Sequence, residues 1–191
     1  MHGIFCLETD WWGVKDRTTV EPVLALLERR LRVPYIRRTI GTREEFQHYV
    51  RKWTQQGLAP FPILYLAFHG EPGILYVGEK RGAGKELSIQ TLGEMLAGKC
   101  KRQIIHFGAC ETVGVHGNTL NAFLAETQAL AVMGYREAVD WVESAAFDLL
   151  LLGSLQDVTM TKQGVGKLRR LMKERAATLS KRLGFVIKTT P

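Results

Sequence analysis

The chain has 191 residues, of which 46% are hydrophobic, and a formal net charge of +7. This length corresponds to one domain, and the hydrophobic fraction is sufficient for a core. No apolar run approaches the roughly 20 residues that a membrane-spanning helix needs, and Glu8 interrupts the N-terminal segment before a signal-peptide core could form. We therefore expect a single domain over residues 1–191, located in the cytoplasm, with its three cysteines reduced.

The positive charge is concentrated near the C-terminus. Residues 162–188 hold nine lysines and arginines against Glu174 alone, so the rest of the chain is close to neutral. A basic helix of this kind is most often a solvated surface, but it can also attract an acidic protein or nucleic acid.

Hydrophobic periodicity predicts alternating strands and helices along the chain. The predicted strands are residues 2–8, 33–40, 61–68, 103–107, 130–135 and 184–187, and the predicted helices are 19–31, 42–53, 91–98, 118–126, 139–152 and 162–182. Residues 73–78 and 87–89 predict a small hairpin after the third strand. Thr42 and Glu45 form a capping-box pattern, and Asn118 or Thr119 is a candidate cap for the fourth helix. This order predicts a mostly parallel sheet with helices on both faces.

Two residues with catalytic potential follow predicted strands directly. His69 and Gly70 come after residues 61–68, and Gly108, Ala109 and Cys110 come after residues 103–107. Open α/β sheets place their chemistry at the carboxyl ends of strands. The pattern therefore predicts a thiol nucleophile and an imidazole partner on neighbouring strand ends.

Backbone amides for an oxyanion are expected beside the same residues. Gly70 has an unobstructed N–H, and the Cys110 amide is the natural second donor. Gly108 and Ala109 are small and allow a substrate backbone to approach closely.

The segments 65–70 and 106–112, Tyr-Leu-Ala-Phe-His-Gly and His-Phe-Gly-Ala-Cys-Glu-Thr, resemble those of caspase-like cysteine peptidases. The resemblance is strongest to the CHAT branch, related to caspases and separase, and covers roughly residues 60–155. Gly108 stands where that branch usually has Ser, and Glu111 stands where caspases proper have Arg.

This resemblance implies a caspase-hemoglobinase fold, a three-layer αβα sandwich around a central, mostly parallel six-stranded sheet. It also implies a cysteine endopeptidase with Cys110 as nucleophile, His69 as general acid and base, and the Gly70 and Cys110 amides as the oxyanion hole. No metal or cofactor is implied. Relatives cleave a partner protein in bacterial defence, including antiviral defence, and in cell-death systems, and a regulatory partner chain or an oligomer is expected.

Relatives with this Cys-Glu-Thr pattern often cleave after a basic residue, which requires an acidic pocket. Asp140 is the best candidate because it follows the fifth predicted strand, and Glu111 and Glu143 are weaker candidates. Asp is also a good helix N-cap, so Asp140 has a purely structural alternative role.

The tryptophans divide between core and surface in our expectation. One ring of the pair Trp11 and Trp12 is expected in the core and the other exposed, with a lid or an interface patch as the alternative for the pair. Trp141 is expected in the core, with a position lining the site as its alternative.

Metal and nucleotide sites are weaker interpretations. Cys100, His106, Cys110 and His116 match no established zinc spacing. Residues 82–85, Gly-Ala-Gly-Lys, lack the Walker spacing and are expected to form a basic turn.

A non-enzymatic module is the rival class of function. In that case the sheet is a scaffold, and the basic helix at 162–182 binds an acidic partner or nucleic acid, with nucleic acid less favoured. Hydrolysis of a small-molecule ester or amide is a third possibility.

Overall fold

The structure, a computed structural model, describes residues 1–13, 15–78 and 84–190. Its strands are β1 (Ile4–Thr9), β2 (Tyr35–Ile40), β3 (Ile63–Ala67), β4 (His69–Glu71), β5 (Ile74–Tyr76), β6 (Glu86–Ser88), β7 (Ile104–Phe107), β8 (Ala131–Tyr135) and β9 (Phe185–Thr189). Its helices are α1 (Glu21–Leu31), α2 (Arg43–Trp53), α3 (Ile89–Met95), α4 (Gly117–Thr127), α5 (Trp141–Ser154) and α6 (Lys162–Arg182). Short 3₁₀ turns span Gln56–Leu58 and Leu155–Asp157.

Six strands form the central sheet in the order β2-β1-β3-β7-β8-β9. The first five are mutually parallel, and β9 pairs antiparallel with β8. The predicted three-layer fold with a mostly parallel six-stranded sheet is therefore confirmed. The predicted hairpin is larger than expected, because β4 joins β5 and β6 in a separate three-stranded sheet.

Alternation along β3 explains the two layers of helices. Tyr65 and Ala67 face a core formed with α1, α5 and α6, whereas Leu64 and Leu66 face a core formed with α2, α3 and α4. Strands buried on both faces are nearly continuous in hydrophobicity, as residues 63–68 are.

The ends of the helices partly follow the sequence pattern. Thr42 accepts a hydrogen bond from the Glu45 amide, and the Glu45 carboxylate accepts one from the Thr42 amide, so the capping box is confirmed. The expected cap of α4 is wrong, since His116 occupies the N-cap position without a side-chain bond. None of the helices in the described ranges is long and apolar enough to cross a membrane.

Candidate active site

Three strand ends converge at one edge of the central sheet. β1, β3 and β7 are consecutive parallel neighbours, so their carboxyl ends lie side by side. Trp11 lies two residues beyond β1, His69 two residues beyond β3, and Cys110 three residues beyond β7. The sheet therefore places the histidine and the cysteine on adjacent strand ends, with the Trp11 segment on the other side of His69.

Gly70 makes the closest link between these segments. A Cβ built on Gly70 would lie 2.1 Å from Thr112 Oγ1 and 2.6 Å from the carbonyl oxygen of Cys110. Distances this short show that the backbone after His69 packs directly against the backbone of Cys110. Only glycine permits this approach.

The Gly70 amide faces away from the small sheet that contains it. The Val77 N–H donates to the Lys85 carbonyl at 2.9 Å, which marks a hydrogen-bonded pair between the β5 and β6 strands. Antiparallel pairs alternate, so Leu75 also bonds toward β6 and leaves its partner Gly70 unbonded to β5. The Gly70 N–H is consequently directed to the open edge of β4, as an oxyanion donor would need to be.

The loop that carries Cys110 is held by its own backbone. Glu111 has a left-handed φ of 55°, and its N–H donates to the Glu137 carbonyl at 3.2 Å. Its carbonyl accepts from the Gly114 N–H at 2.6 Å, and Thr112 Oγ1 donates to the Cys110 carbonyl at 3.2 Å. These bonds keep the half-buried Cys110 at the start of a tight turn.

The His69 ring is oriented by the Trp11–Trp12 segment. Its Nε2 lies 2.9 Å from the Trp11 carbonyl oxygen. A carbonyl only accepts, so Nε2 carries the proton and Nδ1 of the neutral ring is the available acceptor. The indoles of Trp11 and Trp12 pack edge-on against the imidazole, with centroid separations of 5.1 and 4.8 Å.

Glu8 anchors the segment that supplies this carbonyl. It is fully buried in β1 and accepts hydrogen bonds from Trp11 Nε1 at 2.8 Å and from the Val20 amide at 2.7 Å. Arg37 Nε from β2 completes an ion pair with Glu8 at 2.5 Å. A buried carboxylate with several donors is strongly constrained, so Trp11 is held close to the end of β1.

A narrow cleft beside Gly108, with a volume of about 20 Å³, has a buried acid in its lining. Gly108 and Trp141 are part of its lining, and so is the Asp148 carboxyl group. Asp148 is 2% exposed and accepts hydrogen bonds from Tyr65 at 2.6 Å, from His106 Nε2 at 2.7 Å and from Tyr135.

Burial, reinforced by the Asp148 charge, raises the pKa of both tyrosines, Tyr65 and Tyr135, well above the ordinary value. They therefore remain proton donors to Asp148. Sequence reasoning missed this acid, although a lone carboxylate within the apolar run 145–152 was the available signal.

The three acids predicted for the substrate pocket have different surroundings. Asp140 is exposed and caps α5, accepting from the amides of Val142 and Glu143 at 2.9 and 3.0 Å. Glu143 pairs with Arg182 at 2.6 Å, and Glu111 is half-buried directly after Cys110.

The expected division of the first two tryptophans is confirmed, with Trp11 7% and Trp12 69% exposed. The core position expected for Trp141 is wrong. This ring is 38% exposed and packs edge-on against Trp11 at 4.8 Å, because it begins α5 at the sheet edge instead of lying within the helix layer.

The weaker interpretations have the following outcomes. Among the residues that the structure describes, no cluster of three or more His, Cys, Asp or Glu side chains is arranged to hold a metal. Cys100 and His106 lie on opposite faces of the sheet, since Cys100 packs in the α2–α4 core and His106 bonds to Asp148 of α5. Residues 82 and 83 of the predicted basic turn at 82–85 lie outside the described residues.

Comparison with known proteins gives a family and a fold. Residues 1–188 match the model of a family of unknown function, DUF6642. The chain belongs to this family. No curated protein matches the sequence.

Among solved structures, the chain is similar to caspase-1 from Spodoptera frugiperda. The TM-score is 0.58 at 13% identity, over 99% of this chain and 86% of that one. The fold of this DUF6642 member is therefore caspase-like.

We expect Gly70→Ala to destabilise the protein by about 1–3 kcal/mol, because the new methyl group meets the fixed Cys110 carbonyl. Gly57→Ala is the matched control, since no atom lies within 4 Å of its Cβ position and its φ is not positive. Urea unfolding of both variants measures the difference. Equal midpoints for the two variants would contradict the close packing at Gly70.

Thiol labelling distinguishes the three cysteines. Burial raises the pKa of Cys100 to about 12 and that of Cys6 well above its ordinary value, and both are fully buried. At pH 8 we expect iodoacetamide to modify native protein once, at Cys110, and urea-unfolded protein three times. Peptide mapping by mass spectrometry identifies the site, and Cys110→Ala is expected to leave native protein unmodified. Comparable labelling of Cys6 or Cys100 in native protein would overturn this assignment.

Proposed function

We propose that this protein is a cysteine endopeptidase in which Cys110 and His69 act as the catalytic dyad. The observation that carries the proposal is the contact between the His69–Gly70 backbone and the Cys110 carbonyl at one sheet edge. A nucleophile, a base and a group that orients the base are the parts that thiol catalysis requires. Cys110, His69 and the Trp11 carbonyl supply them.

The roles follow from the hydrogen-bond arrangement. The Cys110 thiol gives its proton to Nδ1 of His69, and the resulting thiolate attacks the peptide carbonyl carbon. The carbonyl oxygen becomes an oxyanion facing the Gly70 and Cys110 amides. The protonated His69 ring donates from Nδ1 to the leaving amine, and the C–N bond breaks to leave a thioester. Nδ1 then takes a proton from water, whose oxygen attacks the thioester and releases the acid and the thiol.

The bond between His69 Nε2 and the Trp11 carbonyl supports these roles for Cys110 and His69. It keeps the proton on Nε2 and holds the ring in one orientation. The flanking indoles of Trp11 and Trp12 exclude water from two sides of the ring. The role inferred for the Trp11 carbonyl depends on Glu8, which holds that segment in place.

We propose in addition that the residue before the cleaved bond is basic. Asp148, a negative group, contributes to the lining of the cleft beside Gly108, which lies two residues before Cys110 in sequence. We place Asp148 ahead of Asp140, Glu111 and Glu143 as the source of negative charge. Asp140 is committed to the α5 amides and Glu143 to Arg182, whereas Glu111 follows Cys110 without lining this cleft.

The substrate is proposed to be a partner protein. The aromatic wall formed by Trp11, Trp12 and Trp141 suits an extended polypeptide, because Trp12 is exposed beside His69 and Trp141 is exposed beside Trp11. A place in bacterial defence or cell death, and membership of the CHAT branch, belong to the same proposal.

Cleavage of a peptide library tests the dyad. We expect Cys110→Ala and His69→Ala each to lower kcat/KM by at least about 10³-fold, because each removes a group that acts in bond making. Cys100→Ala is the matched control, since this cysteine is buried in the α2–α4 core and should leave activity within a few-fold. Retained activity in Cys110→Ala would refute the proposed nucleophile.

The specificity proposal is tested with fluorogenic peptides that differ only in the residue before the cleaved bond. We expect Arg or Lys to exceed Leu in kcat/KM by about 10–100-fold, and Asp148→Asn to remove most of this preference. Asp140→Asn provides the comparison at an exposed acid, and thermal unfolding of each variant checks its fold. Selective cleavage after acidic residues would contradict the proposed pocket, even if the dyad is correct.

A further inference from the structure

A second surface of interest lies at the edge of the central sheet that is opposite to β2. β9 is the last strand, and within the described part of the chain its only sheet partner is β8. An edge strand presents unpaired N–H and C=O groups that another extended chain can pair with.

The hydrogen-bond register shows which groups of β9 face outward. The Arg136 N–H donates to the Gly184 carbonyl at 3.1 Å, which marks a hydrogen-bonded pair just before β9. Alternation then makes Val186 and Lys188 the residues that bond to β8. The backbone groups of Phe185, Ile187 and Thr189 are therefore the ones directed to the open edge.

One observation independently locates this edge. Arg169 of α6 reaches the Ile187 carbonyl with Nη2 at 3.2 Å. A carbonyl already bonded to β8 would not face α6 in this way, so the Ile187 carbonyl points outward. A charged side chain over an edge strand protects it from non-specific pairing.

The groove beside this edge is basic. Arg136, Arg169, Lys173 and Lys181 contribute to its walls, against Glu137 as the acid in the lining. Phe185, Ile187 and Met172 give it an apolar floor. The groove therefore combines cations, apolar surface and an unpaired strand edge.

We propose that this groove binds an acidic segment of a partner protein, which adds to β9 as an extra strand. Acidic side chains on one face of the added strand would meet Lys173 and Lys181. The main chain would pair with Phe185 and with Ile187, whose carbonyl has a second lone pair beside the one that Arg169 engages. A second copy of this chain is a poorer occupant because pairing β9 with itself brings two cationic grooves together. Nucleic acid would match the charge but not the row of main-chain donors and acceptors. The proposal does not depend on the catalytic one, and its test needs no activity.

Fluorescence anisotropy of a labelled nine-residue peptide of alternating glutamate and valine tests the proposal on the full chain. We expect saturable binding that weakens by about tenfold or more in the double variant Lys173→Glu/Lys181→Glu, as both charges are reversed. The affinity of the milder double variant, Lys173→Gln/Lys181→Gln, should lie between those of the parent and of the glutamate variant. Arg170→Glu is the matched control, because Arg170 is an exposed α6 residue outside the groove lining and should bind within about threefold of the parent. Circular dichroism verifies that each variant is folded.

Backbone methylation separates strand addition from simple charge attraction. In an added strand, alternate residues direct their N–H groups to the host edge. N-methylation of one alternating set, all glutamates or all valines, should abolish binding, whereas methylation of the other set should leave it within about threefold. Equal binding of both methylated peptides overturns strand addition.

Three further outcomes also overturn the proposal. They are no peptide binding at millimolar concentration, binding of a single-stranded oligonucleotide in place of the peptide, and a dimer in sedimentation that Lys173→Glu/Lys181→Glu dissociates. The last would assign the edge to a second copy of this chain.

Discussion

The contact between Gly70 and the Cys110 loop is the constraint on which the rest of the candidate site depends. Parallel strands bring their carboxyl ends to one edge, but that alone leaves side chains several ångströms apart. The absence of a Cβ on Gly70 lets two backbones touch, with Thr112 closing the contact from the other side. The backbone segments that carry the imidazole, the thiol and the two candidate amide donors are therefore in direct contact.

Buried carboxylates on the α1–α5 side of the sheet hold the chain segments that lie next to this contact. Glu8 fixes the Trp11 segment from β1, and Asp148 joins α5 to β3 and β7 through Tyr65 and His106. A carboxylate taken from water is costly unless several donors satisfy it, so each acid strongly favours one arrangement of its neighbours.

Local signals in the sequence explain which features were predictable. The capping box at Thr42, the basic helix α6 and the strands that end before His69 and Gly108 are each encoded by adjacent residues. The Trp11 carbonyl has no such signal, because a backbone group is present at every residue and only tertiary structure selects one. The hydrogen-bond partners of Asp148 could not be predicted for a related reason, since they come from strands that are distant along the chain. β4 is three residues long, too short for alternation to be recognised.

The two candidate surfaces share one segment of chain, Arg136 and Glu137. The Arg136 amide bonds to Gly184 at the start of β9, and the Glu137 carbonyl accepts the amide of Glu111, the residue after Cys110. Both residues also contribute to the basic groove. If a ligand moved this segment, two backbone hydrogen bonds would link that movement to the turn that holds Cys110. No side chain stands between them. Glu111 has a left-handed φ, a conformation unfavourable for a residue with a Cβ, and the bond to Glu137 is one of the hydrogen bonds that hold it there. The two candidate surfaces are therefore joined by backbone hydrogen bonds of one short segment.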